Sequence, residues 1–271
     1  MDNRPIGVFD SGMGGLSAVR CLKRLLPCEE IVYFGDTGRV PYGGRSRDII
    51  QKYARQDVAF LGQFDLKAIL IACGTVTTNA LSLLEAENDL PIIGVVEPAA
   101  DEAAACSLSG RIGVVGTKAT IRSGAYEAAI RNRRADAALF VRACPLLVPL
   151  VEEGRVSPED PIVREIVHAY FTPFVEEKVD TIVLGCTHYP LLKAAIGAFL
   201  SPAVTLIDTG EACVRSLVSL LAKREALCSG EQNGIQRYYV SDRAEDFASL
   251  ASLFLGEDVS SSVNEIEIER Y

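Results

Sequence analysis

Two short segments repeat one arrangement: Leu70-Ile71-Ala72-Cys73-Gly74-Thr75 and Val183-Leu184-Gly185-Cys186-Thr187-His188. In each, an apolar run reaches a cysteine, a small polar stretch follows, and a helical pattern begins. A thiol at the end of a buried strand, facing the start of the next helix, is where a reactive thiolate is expected. A free thiol with a pKa of about 8.5 is only slightly ionised near neutrality. A helix N-terminus worth up to roughly 2 kcal/mol lowers that by about 1.5 units. Two thiolates side by side repel, which makes one thiol and one thiolate the expected pair. Such a pair suits inversion of a carbon centre: the thiolate removes a proton from one face and the thiol delivers one to the other. Neither enantiomer is favoured chemically, so the two sites should resemble each other, as these segments do. Asp10 is expected to assist Cys73, and His188 to assist Cys186.

These groups need strands to present them. The run PIGVF ends in Asp10-Ser11-Gly12-Met13-Gly14-Gly15 before an amphipathic stretch, which reads as strand, glycine loop, helix. Its glycine spacing is not that of a dinucleotide loop, so a turn freeing N–H groups for a small anion fits better. A second strand leads into Gly35 to Gly44, where Pro41, Tyr42 and Gly43 combine a stiff aromatic with backbone able to approach a ligand. Strand 111–115 ends in Gly116-Thr117-Lys118-Ala119-Thr120, again small and hydroxyl residues. In Cys144-Pro145-Leu146-Leu147-Val148-Pro149-Leu150-Val151-Glu152 two prolines exclude a central strand or a regular helix interior, and predict a buried wall with an acid at its end. Glu97-Pro98 is a plausible crossing between halves, and 230–236 reads as a mobile loop. His168, on a helix over 159–176, builds no site. Continued alternation of strand and helix implies an α/β fold with parallel sheets covered on both faces.

Composition narrows the function classes. A formal charge of −9 argues against nucleic acid as a partner, since phosphate binding needs a positive footprint. No window approaches eighteen consecutive apolar residues and the N-terminus lacks a leader pattern, so no membrane partner and a cytoplasmic location are expected. The eight cysteines contain no CxxC pair and only two histidines accompany them, which makes free thiols the default and a metal site improbable. Cys21, Cys106 and Cys213 read as small buried hydrophobes. Among the strand-end segments only Lys118 could form a Schiff base, so no cofactor is expected.

The stretches GVFDSGMGGLSAVR, FGDTGRVPYG, AC-x-T, GVVGTKATIRSGAY, CPLLVPLVEEG and LGCTHYPLL together resemble the glutamate racemases, cofactor-independent enzymes that supply D-glutamate to bacterial peptidoglycan. The match runs from the N-terminus to about Gly210. The resemblance implies that Cys73 and Cys186 are the two catalytic bases. It places Asp10, Ser11, Pro41, Tyr42, Gly43, Gly74, Thr75, Thr117, Thr120, Thr187 and His188 at substrate positions and gives Glu152 a supporting role. It implies two pseudo-symmetric α/β domains, 1–97 plus 207–271 and 98–206, with the site in the cleft between them. Glutamate would be the small-molecule partner, and a homodimer is an assembly to test. One departure stands out: the family pattern after the first cysteine is Asn-Thr, whereas here it is Gly74-Thr75. The Gly74 N–H, Thr77 or Asn79 is expected to substitute for the missing amide. Rival readings are an aspartate racemase, a Cys186/His188 acyl-transfer enzyme, which leaves Cys73 unused, and a two-lobed binding protein, which needs neither thiol.

Overall fold

A computed structural model describes residues 1–230 and 233–271. The strands are β1 (Ile6–Asp10), β2 (Ile31–Gly35), β3 (Ala68–Ile71), β4 (Ile92–Gly94), β5 (Arg111–Gly116), β6 (Ala138–Ala143), β7 (Thr181–Leu184), β8 (Thr205–Asp208), β9 (Gln236–Val240) and β10 (Val263–Glu265). They form two wholly parallel sheets, ordered β10-β9-β2-β1-β3-β4 and β6-β5-β7-β8. The central strands β1, β2, β3 and β7 are buried along their whole length, as their unbroken apolar runs require when helices cover both faces. The edges β6 and β10 lack a continuous buried run.

In a parallel sheet the crevice opens where the strand order reverses, outside the carboxyl ends. The first sheet reverses between β1 and β3, which end at Asp10 and just before Cys73. The second reverses between β5 and β7, which end just before Thr117 and Cys186. The topology therefore gathers the sequence-selected residues at two switch points.

The chain passes between the sheets twice. Glu97 and Pro98 are not an extended crossing; they sit in the first turn of the helix Val96–Cys106, where proline's missing N–H costs nothing. That helix carries the chain over, and Thr209–Lys223 carries it back. The two pack together, joined by Arg215 Nε to Glu102 Oε1 at 2.7 Å. The prolines of the 145–152 segment also permit a short helix, Leu147–Glu152, because Pro149 falls in its first turn. Cys21 and Cys213 are buried as expected, whereas Cys106, at the end of its helix, is exposed. His168 is on the surface, its ring edge-on to Phe199. Residues 231 and 232 of the expected 230–236 loop lie outside the described residues, and Gln236 already opens β9.

At the edge of the first sheet away from the crevice, Lys67 and Glu29 form an almost fully buried ion pair, Nζ to Oε2 2.5 Å. Lys67 also donates to the carbonyls of Asp2 (2.6 Å) and Ala226 (2.9 Å), and Glu29 Oε1 accepts from the Cys228 N–H. The cluster ties the N-terminus and the returning chain to the base of β2 and β3. Removing one member strands the other's charge. Lys67→Met is therefore expected to cost about 3–5 kcal/mol in urea unfolding, with much of the loss recovered in Lys67→Met/Glu29→Leu. Neither variant should change turnover, since the pair lies at the opposite end of the strands from the site.

Candidate active site

The two switch points face one another across a cavity of about 370 Å³. Cys73, Gly74 and Thr75 line it from the first sheet, and Gly185, Cys186, Thr187 and His188 from the second. The contact between these segments is close. A Cβ placed on Gly74 would lie 2.6 Å from the Gly185 carbonyl oxygen, so the backbones touch where glycine permits it.

Cys73 is the N-cap residue of the helix Gly74–Glu87, and its thiol donates to Ser11 Oγ at 3.3 Å. Burial, followed by the neighbouring Asp10 charge, pushes its pKa up to about 12 against the hydrogen bonds from Ser11 and the Val76 N–H. The expectation that the helix terminus makes this a thiolate is thus reversed: desolvation and a buried carboxylate outweigh the dipole, and Cys73 is held as a thiol. Cys186 stands in a different environment. The chain beyond it forms a 3₁₀ turn, Tyr189–Leu192, before the helix Lys193–Phe199, so no regular helix starts at this sulfur. Its companion is His188, whose Nδ1 lies 3.9 Å from Cys186 Sγ and whose Nε2 lies 3.4 Å from Glu152 Oε1. Burial alone would lower the His188 pKa. The hydrogen bond to Cys186, the contact with Glu152 and the charges of Cys186 and Asp10 override it and raise the value to about 10.

Asp10 does not hydrogen-bond to Cys73. It is completely buried, with Oδ2 accepting from the Gly12 N–H at 3.0 Å and Oδ1 from Thr187 Oγ1 at 3.4 Å. The glycine turn expected to hold an external anion is engaged by the chain's own carboxylate, which also links the first loop to the second cysteine segment. Burial raises the Asp10 pKa, opposed by His188 and these hydrogen bonds.

The hydroxyl groups converge between the sheets. Thr117 Oγ1 lies 3.0 Å from both Thr75 Oγ1 and Thr120 Oγ1, and it also accepts from the Thr120 N–H, capping the helix Lys118–Ser123. Thr75 and Thr117 face the cavity, and Thr120 stands behind them. Ser11, Pro41, Tyr42 and Gly43 also line the cavity, with Gly43 against Thr117. The Tyr42 hydroxyl nevertheless points away from the cavity, toward Asp36 and Asp57. Glu152 lines the mouth through its His188 contact and is thereby set apart from Glu153, which is exposed at the helix end.

Of the three proposed substitutes for an asparagine after Cys73, only Gly74 reaches the cavity. Thr77 donates to the Cys73 carbonyl, and Asn79 donates to the Thr75 carbonyl and Thr78 Oγ1. Sequence reasoning missed Val40, Gly12 and Lys118 as lining residues. Lys118 follows Thr117 directly and could have been found from that adjacency; Val40 carries no chemical signal. Val148 and Pro149 supply the apolar wall expected from the proline-containing segment.

His188 binds its proton more tightly in the folded chain than at its ordinary value of 6.5. The stability it contributes is therefore full below pH 6.5 and fades as pH rises toward about 10. Ring NMR titration should show the His188 signal remaining imidazolium well into alkaline pH. In Cys186→Ala that signal should titrate at sharply lower pH, because burial then opposes the charge with its first counterweight gone.

The family model described as Asp/Glu/Hydantoin racemase matches residues 20–217. The chain is 43% identical over 256 residues to the glutamate racemase of Chlorobaculum tepidum, with 94% of this chain and 93% of that protein covered. Among solved structures, the glutamate racemase of Francisella tularensis in complex with D-glutamate aligns over 100% of both chains with a TM-score of 0.92 and 37% identity. That of Thermus thermophilus in complex with beta-chloro-D-alanine does so with a TM-score of 0.88 and 40% identity. Fold and sequence agree, and the chain belongs to the glutamate racemase family.

Proposed function

We propose that this protein interconverts L- and D-glutamate by proton transfer between Cys73 and Cys186, and that its product supplies D-glutamate for peptidoglycan. The observation carrying this reading is that both thiols line one cavity between two switch points, with different partners. Cys73 begins as the acid, because its surroundings hold the proton on sulfur. Cys186, beside the His188 imidazolium, begins as the base.

The Cys186 thiolate takes the α-proton, and the C–H electron pair moves into the substrate carboxylate. Cys73 then gives its S–H proton to the opposite face of the α-carbon, leaving Cys73 as thiolate and Cys186 as thiol. Water exchange or the reverse reaction resets the pair. Thr75 and Thr117 with the Gly74 N–H would hold one carboxylate, and Ser11 with the backbone of Tyr42 and Gly43 the other. The Thr187 hydroxyl, which lines the cavity and donates to the buried Asp10 behind it, would receive the ammonium group. Glu152 would act through His188, keeping it charged and oriented. The two sheets serve as two domains that bring opposed acid and base to one carbon. Placing the second boundary after Asp208 keeps β8 whole.

Incubation with L- or D-glutamate in heavy water, without added cofactor, should put deuterium at the α-carbon and bring both enantiomers to the same mixture. Absence of exchange would end the racemase reading, and exchange with aspartate alone would transfer it to that substrate. Cys73→Ala and Cys186→Ala should each abolish racemisation while keeping the fold; near-normal turnover in either one refutes the two-base scheme. Gly74→Asn restores the family's residue but drives its Cβ against the Gly185 carbonyl oxygen. It should lower kcat/KM by about 10²-fold, through displacement of the two sulfurs by a fraction of an ångström to an ångström. Steady-state kinetics on both enantiomers measures it.

A further inference from the structure

A second cluster of titratable groups lies behind the wall formed by Pro41, Tyr42 and Gly43. Asp36 and Asp57 are both completely buried there, with one guanidinium, Arg39, and one phenol, Tyr42, between them. Asp36 is the better supplied acceptor. It receives Arg39 Nε at 2.6 Å, Ser241 Oγ at 2.7 Å and the Tyr42 hydroxyl. Asp57 Oδ1 receives Arg39 Nη2 at 3.0 Å, while its Oδ2 lies 3.2 Å from Tyr42 Oη.

A phenol has one hydrogen, and two carboxyl oxygens stand within hydrogen-bond reach of this one. If the hydrogen goes to Asp36, the Oδ2 of Asp57 faces an oxygen lone pair unless it carries a proton itself. With that proton, Asp57 donates to Tyr42 and Tyr42 donates to Asp36. Asp36 and Arg39 then balance in charge, and the two buried carboxyl groups and the phenol are all satisfied. Burial and then the Asp36 charge raise the Asp57 pKa well above the carboxylate range, against Arg39 and Tyr42.

We propose that Asp57 is a positioning residue that works as a neutral carboxylic acid, its proton locking Tyr42 and with it the substrate-facing wall of residues 40–44. The lock reaches the site because Tyr42 opens a short turn, Tyr42–Gly44, whose Gly43 packs against Thr117 of the opposite segment. A Cβ on Gly43 would lie 2.8 Å from the Thr117 Cβ. The setting of Tyr42 therefore fixes how closely the wall approaches the hydroxyl cluster.

The other groups facing Asp57 support the same proton count. Its own helix, Arg47–Leu61, contributes Gln56, which accepts from Arg39 Nη1 at 2.6 Å, and Tyr53, whose ring lies 4.2 Å from the Arg39 guanidinium carbon. From β1, the Asp10 charge favours the neutral form. From the C-terminal turn, the exposed Glu269 reaches only Arg39, at 3.8 Å. Among the described residues, Arg39 is thus the cation paired with both Asp36 and Asp57. A raised carboxyl pKa moves proton loss toward higher pH, where ionised Asp57 would repel Asp36 and release the Tyr42 contact.

The effect on catalysis rests on the proposed glutamate reaction, whereas the protonation state can be read without it. Infrared difference spectra of wild type against Asp57→Asn at neutral pH should show a carboxylic-acid C=O band in the wild type that the variant lacks. Absence of that band overturns the proposal whether or not the protein racemises glutamate. In kinetics, Asp57→Asn places an amide where the acid donated, so KM should stay within about twofold, and the rise of KM with pH expected of the wild type should flatten. Asp36→Asn, which puts an amide among donors, and Asp57→Ala should each raise KM by about tenfold or more with a much smaller change in kcat. If Asp36→Asn is tolerated and Asp57→Asn is not, the proton belongs to the other acid and the assignment fails. Equal thermal destabilisation of all three variants, with unchanged pH dependence of KM, would reduce Asp57 to a structural role and also overturn it.

Discussion

The site depends on a backbone contact that side chains would prevent. Gly74 and Gly185 lie where the two cysteine segments meet, and the room for a Cβ on Gly74 is filled by the Gly185 carbonyl oxygen. Parallel sheets end their strands in one direction, so two such sheets can turn their carboxyl edges toward each other. Only small residues at the meeting point let both edges reach one small ligand. Thr75 and Thr117 exploit the same closeness, their hydroxyls 3.0 Å apart although they come from different sheets. A cleft made in this way can surround a substrate of few atoms with neutral donors from both sides.

Electrostatics then make two similar sites unequal. Both sulfurs are buried, and burial favours the thiol. Around Cys73 the helix terminus and the Ser11 hydroxyl are outweighed by desolvation and Asp10, while Cys186 is accompanied by an imidazolium held by Glu152 and Asp10. Under the proposed reaction, the imidazolium beside one sulfur and the carboxylate beside the other would mark which begins as base and which as acid. A symmetrical pair would have to spread one proton over two equivalent positions. The asymmetry also explains why the repeated sequence pattern is incomplete: one sulfur precedes a fourteen-residue helix and the other a 3₁₀ turn containing Pro190.

The strand ends were legible because long apolar runs followed by glycine and hydroxyl residues have few other structural solutions. They place Asp10, Cys73, Thr117 and Cys186 at or just beyond the carboxyl ends of strands. Partners across the fold were less legible. Asp10 precedes a glycine turn, yet its second hydrogen bond comes from Thr187, far along the chain. Tyr42 reads as a ligand-facing aromatic, but its hydroxyl is drawn inward by two acids that the sequence does not mark as neighbours. Proline misled at Pro98, because its exclusion from helix interiors does not extend to the first turn. Cys106 misled through its alanine-rich surroundings, since an apolar helix end can still lie at the surface.

Three carboxyl groups, Asp10, Asp36 and Asp57, are completely buried near the carboxyl edge of the first sheet. The cations among them are Arg39 in the outer cluster and His188 in the cleft. One guanidinium cannot neutralise both Asp36 and Asp57, and His188 is shared among Asp10, Cys186 and Glu152. In such a region the groups easiest to protonate retain protons, here Asp57 and the Cys73 thiol. Under the proposed reaction the substrate brings an ammonium group into this negatively biased space, beside Asp10. That added positive charge offsets the burden which keeps Cys73 protonated and so eases proton release from its sulfur. Under that reaction, the thiol that is inert in a negative surrounding would become a proton donor when the molecule to be protonated arrives.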